Sequence, residues 1–309
     1  MDDNLDMAQT ETGSNTDRRN GPLKNGPLKN AMSIDVEDYF QVWALSEKIA
    51  PEDWDGFDLR VDAATRAAMD LMERHQVTAT FFTLGWVAQK CPALIREIIA
   101  RGHELASHGM AHKKIFDQSR EEFVKDAGDS KKRLEDIAGV KIRGFRAAGF
   151  SLDARSPWAH EVLHEAGYDY SSSIHPIAHD HYDNPNASRL PFHPIVGSDF
   201  LEIPVATVSA FGRRLSCAGG GWFRVLPYGW TKHLLTRLNE KELQPGVFYF
   251  HPWEIDPDQP KVEGLSAKSK FRHYTNLDKM SAKLERLFQD FKWSRLDALY
   301  LPQQMKDAA

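Results

Sequence analysis

Two histidines four residues apart (His108 and His112), an acidic run (Asp35-Val36-Glu37-Asp38), Arg146 and His251 are the side chains of this sequence best suited to chemistry. In a helical turn, histidines at that spacing point from one face. With a carboxylate from elsewhere they make a two-His-one-carboxylate set, which leaves open positions on Zn or a similar divalent ion. The spacing by itself is common among ordinary polar histidines. The acidic run sharpens it, because Asp35, Glu37 and Asp38 repel one another unless a cation or an arginine compensates.

The elements that must carry these residues read as alternating strands and helices. Residues 31–36 are a short apolar strand, and 77–84 (VTATFFTL) a β-branched and aromatic one closed by Gly85. Further strands fall at 103–107, at about 141–147 and at 247–250. Between them, Val61, Thr65, Ala68, Met69 and Met72 lie at helical spacing. A second helix starts at Pro92, buries Leu94, Ile95, Ile98 and Ile99, and stops at Gly102. Others are expected over about 119–138, 157–166 and 228–240, and a last one over about 276–290. The alternation predicts a mainly parallel sheet, either a barrel or an open wound sheet. The acidic run, His108, Arg146 and His251 then all sit at the carboxyl ends of strands, where parallel α/β folds build their active sites. Residues 175–226 are less regular and rich in Pro, Gly and His, with 201–208 as their clearest strand. No clean linker divides the body, so 31–309 is expected to be a single domain with 175–226 as an insertion.

Residues 33–42 (SIDVEDYFQV), 102–112 (GHELASHGMAH) and 144–147 (GFRA) resemble the opening motifs of the NodB-homology polysaccharide deacetylases, carbohydrate esterase family 4. The nearer likeness is to the branch found in exosortase-associated exopolysaccharide loci, which also accounts for 219–224 (GGGWFR), 249–256 (YFHPWEID) and 271–274 (FRHY). The resemblance runs from about residue 31 to about 292. It implies a distorted (β/α) barrel and a metal-dependent hydrolase that removes N-acetyl groups from amino sugars of a polysaccharide or its precursor. It also implies that His108 and His112 hold a divalent metal, expected to be Zn, with one carboxylate of the first motif. Asp35 then corresponds to the general base, Arg146 to the arginine that orients it, and His251 to the acid that protonates the departing amine. The residue types suit that chemistry, since an amide needs a polarised carbonyl, an activated water and a proton for its leaving group.

Three positions depart from the family pattern. Val36 separates Asp35 from Glu37 where the family has adjacent aspartates. Strand alternation puts Asp35 and Glu37 on one side, which favours Glu37 as the third ligand. Asp38 takes that place if the strand ends at Val36 and the chain turns there. Gly109 stands where Ser or Thr is usual, and Ala148 where Pro is usual. Trp222 and Trp253, with Tyr228 and Trp230, are candidates for stacking on sugar rings. His175, His179, His181 and His193 are irregularly spaced and read as loop or substrate-contact residues rather than a second metal site. Gly219 to Gly221 lacks the Lys-Ser/Thr of a phosphate loop and reads as a close backbone approach.

Composition narrows the partners. Lys plus Arg number 39 against 44 Asp plus Glu, a net charge of -5 that gives no electrostatic case for nucleic acid. Two cysteines, Cys91 and Cys217, can form neither a disulfide framework nor a cysteine metal site. Residues 1–30, with the pentapeptide GPLKN repeated at 21–30, read as a disordered tail. No signal-peptide core and no long apolar run is seen, so no membrane span and a cytoplasmic location are expected. The expected partners are an N-acetylated polysaccharide or oligosaccharide and proteins of a polysaccharide-assembly machine. An amidohydrolase for a small amide and a sugar-binding pseudoenzyme are the rival readings.

Overall fold

Along β1 (Lys29–Val36) the side chains alternate between two buried environments. Met32, Ile34 and Val36 enter the core between sheet and helices, whereas Ala31 packs on the opposite face with Phe82, Ala106, Tyr170 and Val247. A strand buried on both faces is what a closed parallel sheet demands. The structure, a computed structural model, describes residues 28–42, 45–46, 48–179, 184–210 and 212–301. Most of the expected tail lies outside these residues, but Lys29 and Asn30 are already part of β1.

From β1 the sheet runs in parallel through β2 (Thr80–Thr83), β3 (Glu104–Ser107), β4 (Gly144–Phe145), β5 (Tyr170–Ser171) and β6 (Leu201–Glu202). β7 (Thr207–Ala210) and β8 (Arg213–Ser216) form a separate antiparallel hairpin. β9 (Val247–Phe250) and β10 (Lys292–Ser294) both pair in parallel with β1, β10 along Lys29 to Ala31 and β9 along Ala31 to Ile34. A hydrogen bond from Ala206 N–H to Val247 C=O, 3.1 Å, crosses the gap between the two ends of the sheet. The result is the distorted (β/α) barrel expected from the motifs.

Helices α1 (Val61–Arg74), α2 (Gly85–Lys90), α3 (Pro92–Ala100), α4 (Arg120–Ala138), α5 (Ala159–Glu165), α6 (Gly220–Val225), α7 (Tyr228–Glu240), α8 (Ala267–Tyr274), α9 (Leu277–Asp290) and α10 (Leu296–Tyr300) connect the strands. Local chemistry fixes their ends. Ser119 and Glu122 form a reciprocal capping box at the start of α4, and Gly139 closes that helix in the left-handed region at φ 68°. None of the helices among the described residues is long and apolar enough to cross a membrane.

Several expected elements change. The strand read over 77–84 shortens to β2, and that over 141–147 to the two residues of β4. The strand read over 201–208 is two: β6 joins the barrel and β7 leaves it for the hairpin. The chain also continues past the helix read as its last, through β10 and α10. α10 seals the end of the barrel away from the strand carboxyl ends, where Leu296 N–H donates to Thr80 Oγ1 at 2.8 Å.

Glu104 is buried at that sealed end and accepts from Thr80 Oγ1 (2.5 Å), Tyr170 OH (2.8 Å) and Asp297 N–H (3.1 Å). Burial, then the charge of Asp297, outweigh these donors and push its carboxyl from 4.5 up to about 8. Between those values the folded chain holds a proton that the unfolded chain releases, so this contribution to stability is intact below pH 4.5 and is lost as pH rises through 8. Urea midpoints of the wild type should therefore fall more steeply from pH 5 to pH 8 than those of Glu104→Gln. Equal slopes would show that the buried carboxyl does not titrate in that window.

Candidate active site

The inward face of each strand runs to the strand's end or past it at the same period of two. Ala31, Ser33 and Asp35 follow one another on β1, and Glu104 and Ala106 on β3 lead to His108. Gly144 on β4 leads to Arg146, and Val247 and Tyr249 on β9 to His251. Three of these strands thus deliver their next inward residue, and β1 its last, to one end of the barrel.

Arg146 is completely buried there. Its Nη1 donates to Asp35 Oδ1 at 2.7 Å and Ser33 Oγ at 2.8 Å, while Nε and Nη2 donate to the carbonyl and hydroxyl of Ser172, both at 2.9 Å. The guanidinium lies 4.1 Å over the ring of Phe82. The Arg146 carbonyl in turn faces His108 Nδ1 at 2.8 Å. A carbonyl only accepts, so Nδ1 carries the proton and Nε2 keeps its lone pair. Burial, helped by His112 and opposed by Asp35 and Glu37, lowers the His108 pKa to about 4, which keeps the ring neutral.

β1 ends at Val36, the condition under which Asp38 was the expected alternative, yet Glu37 is the residue turned to the site. Its N–H returns to the Asp35 carbonyl at 3.1 Å, a tight turn that leaves Glu37 buried beside Asp35. Asp38 points away. Its Oδ1 accepts from Tyr39 N–H, and its Oδ2 from Arg60 N–H (2.7 Å) and Val61 N–H (2.8 Å) at the start of α1. Residues 108–112 are not a helical turn, as expected from the spacing, but a loop with Gly109 at φ 77° and His112 at φ 52°. The two imidazoles still meet, with ring centres 5.2 Å apart. Gly109 suits this loop because a Cβ there would sit 2.8 Å from Asp126 Oδ2, while Asp126 Oδ1 accepts from Met110 N–H at 3.0 Å.

One ligand atom each from Glu37, His108 and His112 lies within 4.8 Å of the others. Glu37 Oε2 is 2.8 Å from His112 Nε2, but the pair is not aligned as a hydrogen bond, and this buried oxygen has no donor. A carboxylate oxygen and an imidazole nitrogen converging in this way, with the His108 Nε2 lone pair free, fit a divalent cation. Burial would raise the Glu37 carboxyl, but His112, His251 and His108 outweigh it and hold it at about 2.

His251 faces this set from β9. Its Nε2 lies 3.4 Å from Glu37 Oε1 and 4.0 Å from Asp35 Oδ2, and its Nδ1 lies 3.4 Å from Glu254 Oε2. Burial opposes a charge there, but Glu37, Glu254 and Asp35 prevail and raise the imidazole to about 9. Motif reading assigned no role to Glu254 or Arg224, although both are fully buried and ion-paired at 3.0 Å. Their signal in the sequence is charge inside apolar stretches, with Glu254 three residues after His251.

The aromatic candidates separate. Trp253 is 7% exposed, and the rings of His251 and His273 stack parallel on it at 5.3 Å and 4.4 Å, so little of its face remains for a sugar. Trp222 and Trp230 are exposed, whereas Tyr228 is buried with its hydroxyl on the Arg286 carbonyl. Among the histidines of the irregular stretch, His175 is buried against Ser216 Oγ and His193 meets the Phe200 carbonyl, while His181 lies outside the described residues. Gly219 and Gly220 are close approaches: a Cβ on the first would crowd the Tyr249 hydroxyl, and on the second the Glu254 carboxylate.

Comparison with known proteins bears on this geometry. Residues 55–171 match the family described as polysaccharide deacetylase, and 172–301 one described only as a domain of unknown function. The chain is 30% identical over 104 residues to a peptidoglycan-N-acetylglucosamine deacetylase of Bacillus cereus, covering 34% of this chain and 47% of that protein. It is 46% identical over 48 residues to a chitooligosaccharide deacetylase of Sinorhizobium fredii, covering 16% and 22%. The matched parts thus span less than half of these relatives. A crystal structure of a candidate polysaccharide deacetylase from Mycobacterium smegmatis superimposes with a TM-score of 0.59 at 17% identity, over 93% of this chain and 94% of that one, and shares the fold.

The two neighbouring acids should behave differently when removed. Asp38→Ala takes the acceptor from the N–H groups that open α1 and should cost about 1 kcal/mol of stability, the scale of a lost helix cap. Urea unfolding of the purified variant measures it. An unchanged midpoint would show that water replaces the carboxylate at no cost.

Proposed function

We propose, from the match of residues 55–171 to the polysaccharide deacetylase family, that this chain is a metal-dependent hydrolase. It removes N-acetyl groups from the amino sugars of a polysaccharide or its precursor. The observation that carries the reading is the convergence of Glu37, His108 and His112 beside an Arg146-held Asp35, with His251 opposite. Glu37, His108 and His112 would hold a divalent ion, which would supply Lewis acidity toward the acetyl carbonyl and a water of lowered pKa. Zn suits two neutral imidazoles and one carboxylate.

The chain's own residues do the rest. Arg146 occupies Asp35 Oδ1, so Oδ2 is the oxygen left to take the proton of the attacking water. His251 Nε2 stands across from Asp35 Oδ2 and delivers a proton to the nitrogen as the carbon–nitrogen bond breaks toward it. Water's oxygen ends on the acetyl carbon, the bond's electron pair ends on nitrogen, and acetate and a free amine leave. Burial of Asp35, Glu37, His108 and Arg146 excludes bulk water from the charges that must act.

A polymeric substrate is favoured by the exposed Trp222 beside the glycine run that contacts Glu254, an apolar face outside the buried charges. The resemblance of the motifs to exopolysaccharide loci suggests a partner machinery of that kind. We take residues 31–309 as one deacetylase domain.

Acetate release from N-acetylated glucosamine oligomers, set against a small amide such as acetanilide, tests the activity and its substrate class. Release from neither would leave a sugar-binding protein. His108→Ala and His112→Ala should each lose metal and activity together. Glu37→Gln should weaken metal binding by at least about 10-fold and Asp38→Asn far less, as metal titration would reveal. Full metal content in both histidine variants would defeat the metalloenzyme reading.

Asp35→Asn, which leaves the Arg146 charge unpaired and so costs stability, should keep the metal where it folds but slow turnover by about 100-fold or more, the scale of general acid–base catalysis. His251→Ala should likewise slow turnover with the metal still bound. Loss of metal from the latter would make His251 a ligand instead.

A further inference from the structure

We propose that residues 172–301, matched only as a domain of unknown function, supply the proton-delivering half of the site, with Glu254 and Arg224 as positioning residues for His251. This rests on the deacetylase reading above.

Arg224 and Glu254 are each about 1% exposed at their side chains and pair at 3.0 Å. A buried ion pair is a poor way to stabilise a fold, since well-packed apolar side chains serve as well or better. Its geometry points to another use. Three of the guanidinium's contacts lock into carbonyls around the end of α8: Nη1 on His273 (3.0 Å) and Thr275 (2.7 Å), and Nη2 on Arg272 (2.8 Å). Nε is the donor that faces Glu254, and it holds Oε1. The other oxygen, Oε2, accepts from the His251 backbone N–H at 3.0 Å and stands 3.4 Å from His251 Nδ1. That nitrogen is buried and makes no aligned hydrogen bond among the described residues, so this carboxylate oxygen is the acceptor within reach of it.

Gly220 completes the clamp. A Cβ there would overlap the Glu254 carboxylate, so the first turn of α6 can lie against it only without a side chain. Trp253 fixes the plane of the imidazole, being stacked in parallel with it. Glu254 therefore keeps a proton on Nδ1 and turns Nε2 toward Asp35 and Glu37. When His251 gives its Nε2 proton to the leaving nitrogen, the ring becomes neutral with Nδ1–H still facing Glu254. Without the carboxylate the ring is free to rotate or to adopt the other tautomer.

A leaving group that needs no proton separates this role from a structural one. In the metal-loaded enzyme, the test compares turnover of an N-acetylated glucosamine oligomer with that of 4-nitrophenyl acetate, whose nitrophenolate departs unprotonated. Glu254→Gln should lower the amide-to-ester turnover ratio by at least about 10-fold at unchanged metal content. His251→Ala should lower it comparably, and the double variant no further, as expected of residues acting as a unit. If Glu254→Gln does not fold, Glu254→Asp and Arg224→Lys are read for the same fall. Equal losses on both substrates, or no loss on either, would overturn the proposal while an active wild type keeps the deacetylase reading. A wild type that releases acetate from neither substrate would remove both.

Discussion

A guanidinium inside a barrel is the constraint around which this structure is arranged. Arg146 has no access to water, and its charge is tolerable only because Asp35, Ser33 and Ser172 surround it with acceptors. Removing one partner of such a pair costs about 3–5 kcal/mol, because the other charge is left buried and alone. The dependence spreads outward from there. Ser33 and Asp35 must occupy successive inward positions of β1, and Ser172 must follow β5 at once. The Arg146 carbonyl then dictates which nitrogen of His108 is protonated.

Charges of opposite sign alternate across the site from this anchor. Arg146 faces Asp35, His251 lies between Asp35 and Glu37 on one side and Glu254 on the other, and Arg224 closes the row. Burial alone would neutralise several of these groups, and it is their neighbours that hold Glu37 low and His251 high. The two family matches divide the row. The first contains His108, His112 and Arg146; the second contains His251, Glu254 and Arg224; Asp35 and Glu37 precede both.

What could be read from the sequence was the part governed by local rules. Val247–Phe250 is apolar throughout and was read to the residue, and α4 carries its own cap and stop. Their places at the carboxyl ends of β1, β3 and β9 already put Asp35, His108 and His251 at one end of the barrel. Elements set by long-range packing were harder. β4 and β5 are two residues each, and Gly144 is bare because the Tyr170 ring lies where its side chain would be, a contact no local pattern encodes. β10 is only the triplet Lys-Trp-Ser, with one apolar side chain in the core, and is a strand because β1 offers it an edge. The loop of His108 and His112 needed φ values that i,i+4 spacing does not predict. Glu254 and Arg224 lie within the quoted motifs but received no role, because nothing in the sequence shows that two charges thirty residues apart meet in the interior.

The order of the strands also bears on how the barrel comes into being. Of the described strands β1 is the first to be made, yet the edge it shares with β9 and β10 stays open until the chain has grown by more than two hundred residues, as the bond from Ser33 to the Phe248 carbonyl shows with its separation of 215. Pairings so distant in sequence form slowly, and an unpaired strand edge invites association with other chains meanwhile. Domains fold during synthesis from the N-terminal side, so Glu37, His108 and His112 are present well before the strand that brings His251. A nascent chain that ends ahead of β9 thus exposes its central strand and its acidic cluster together, and only the late strands cover them.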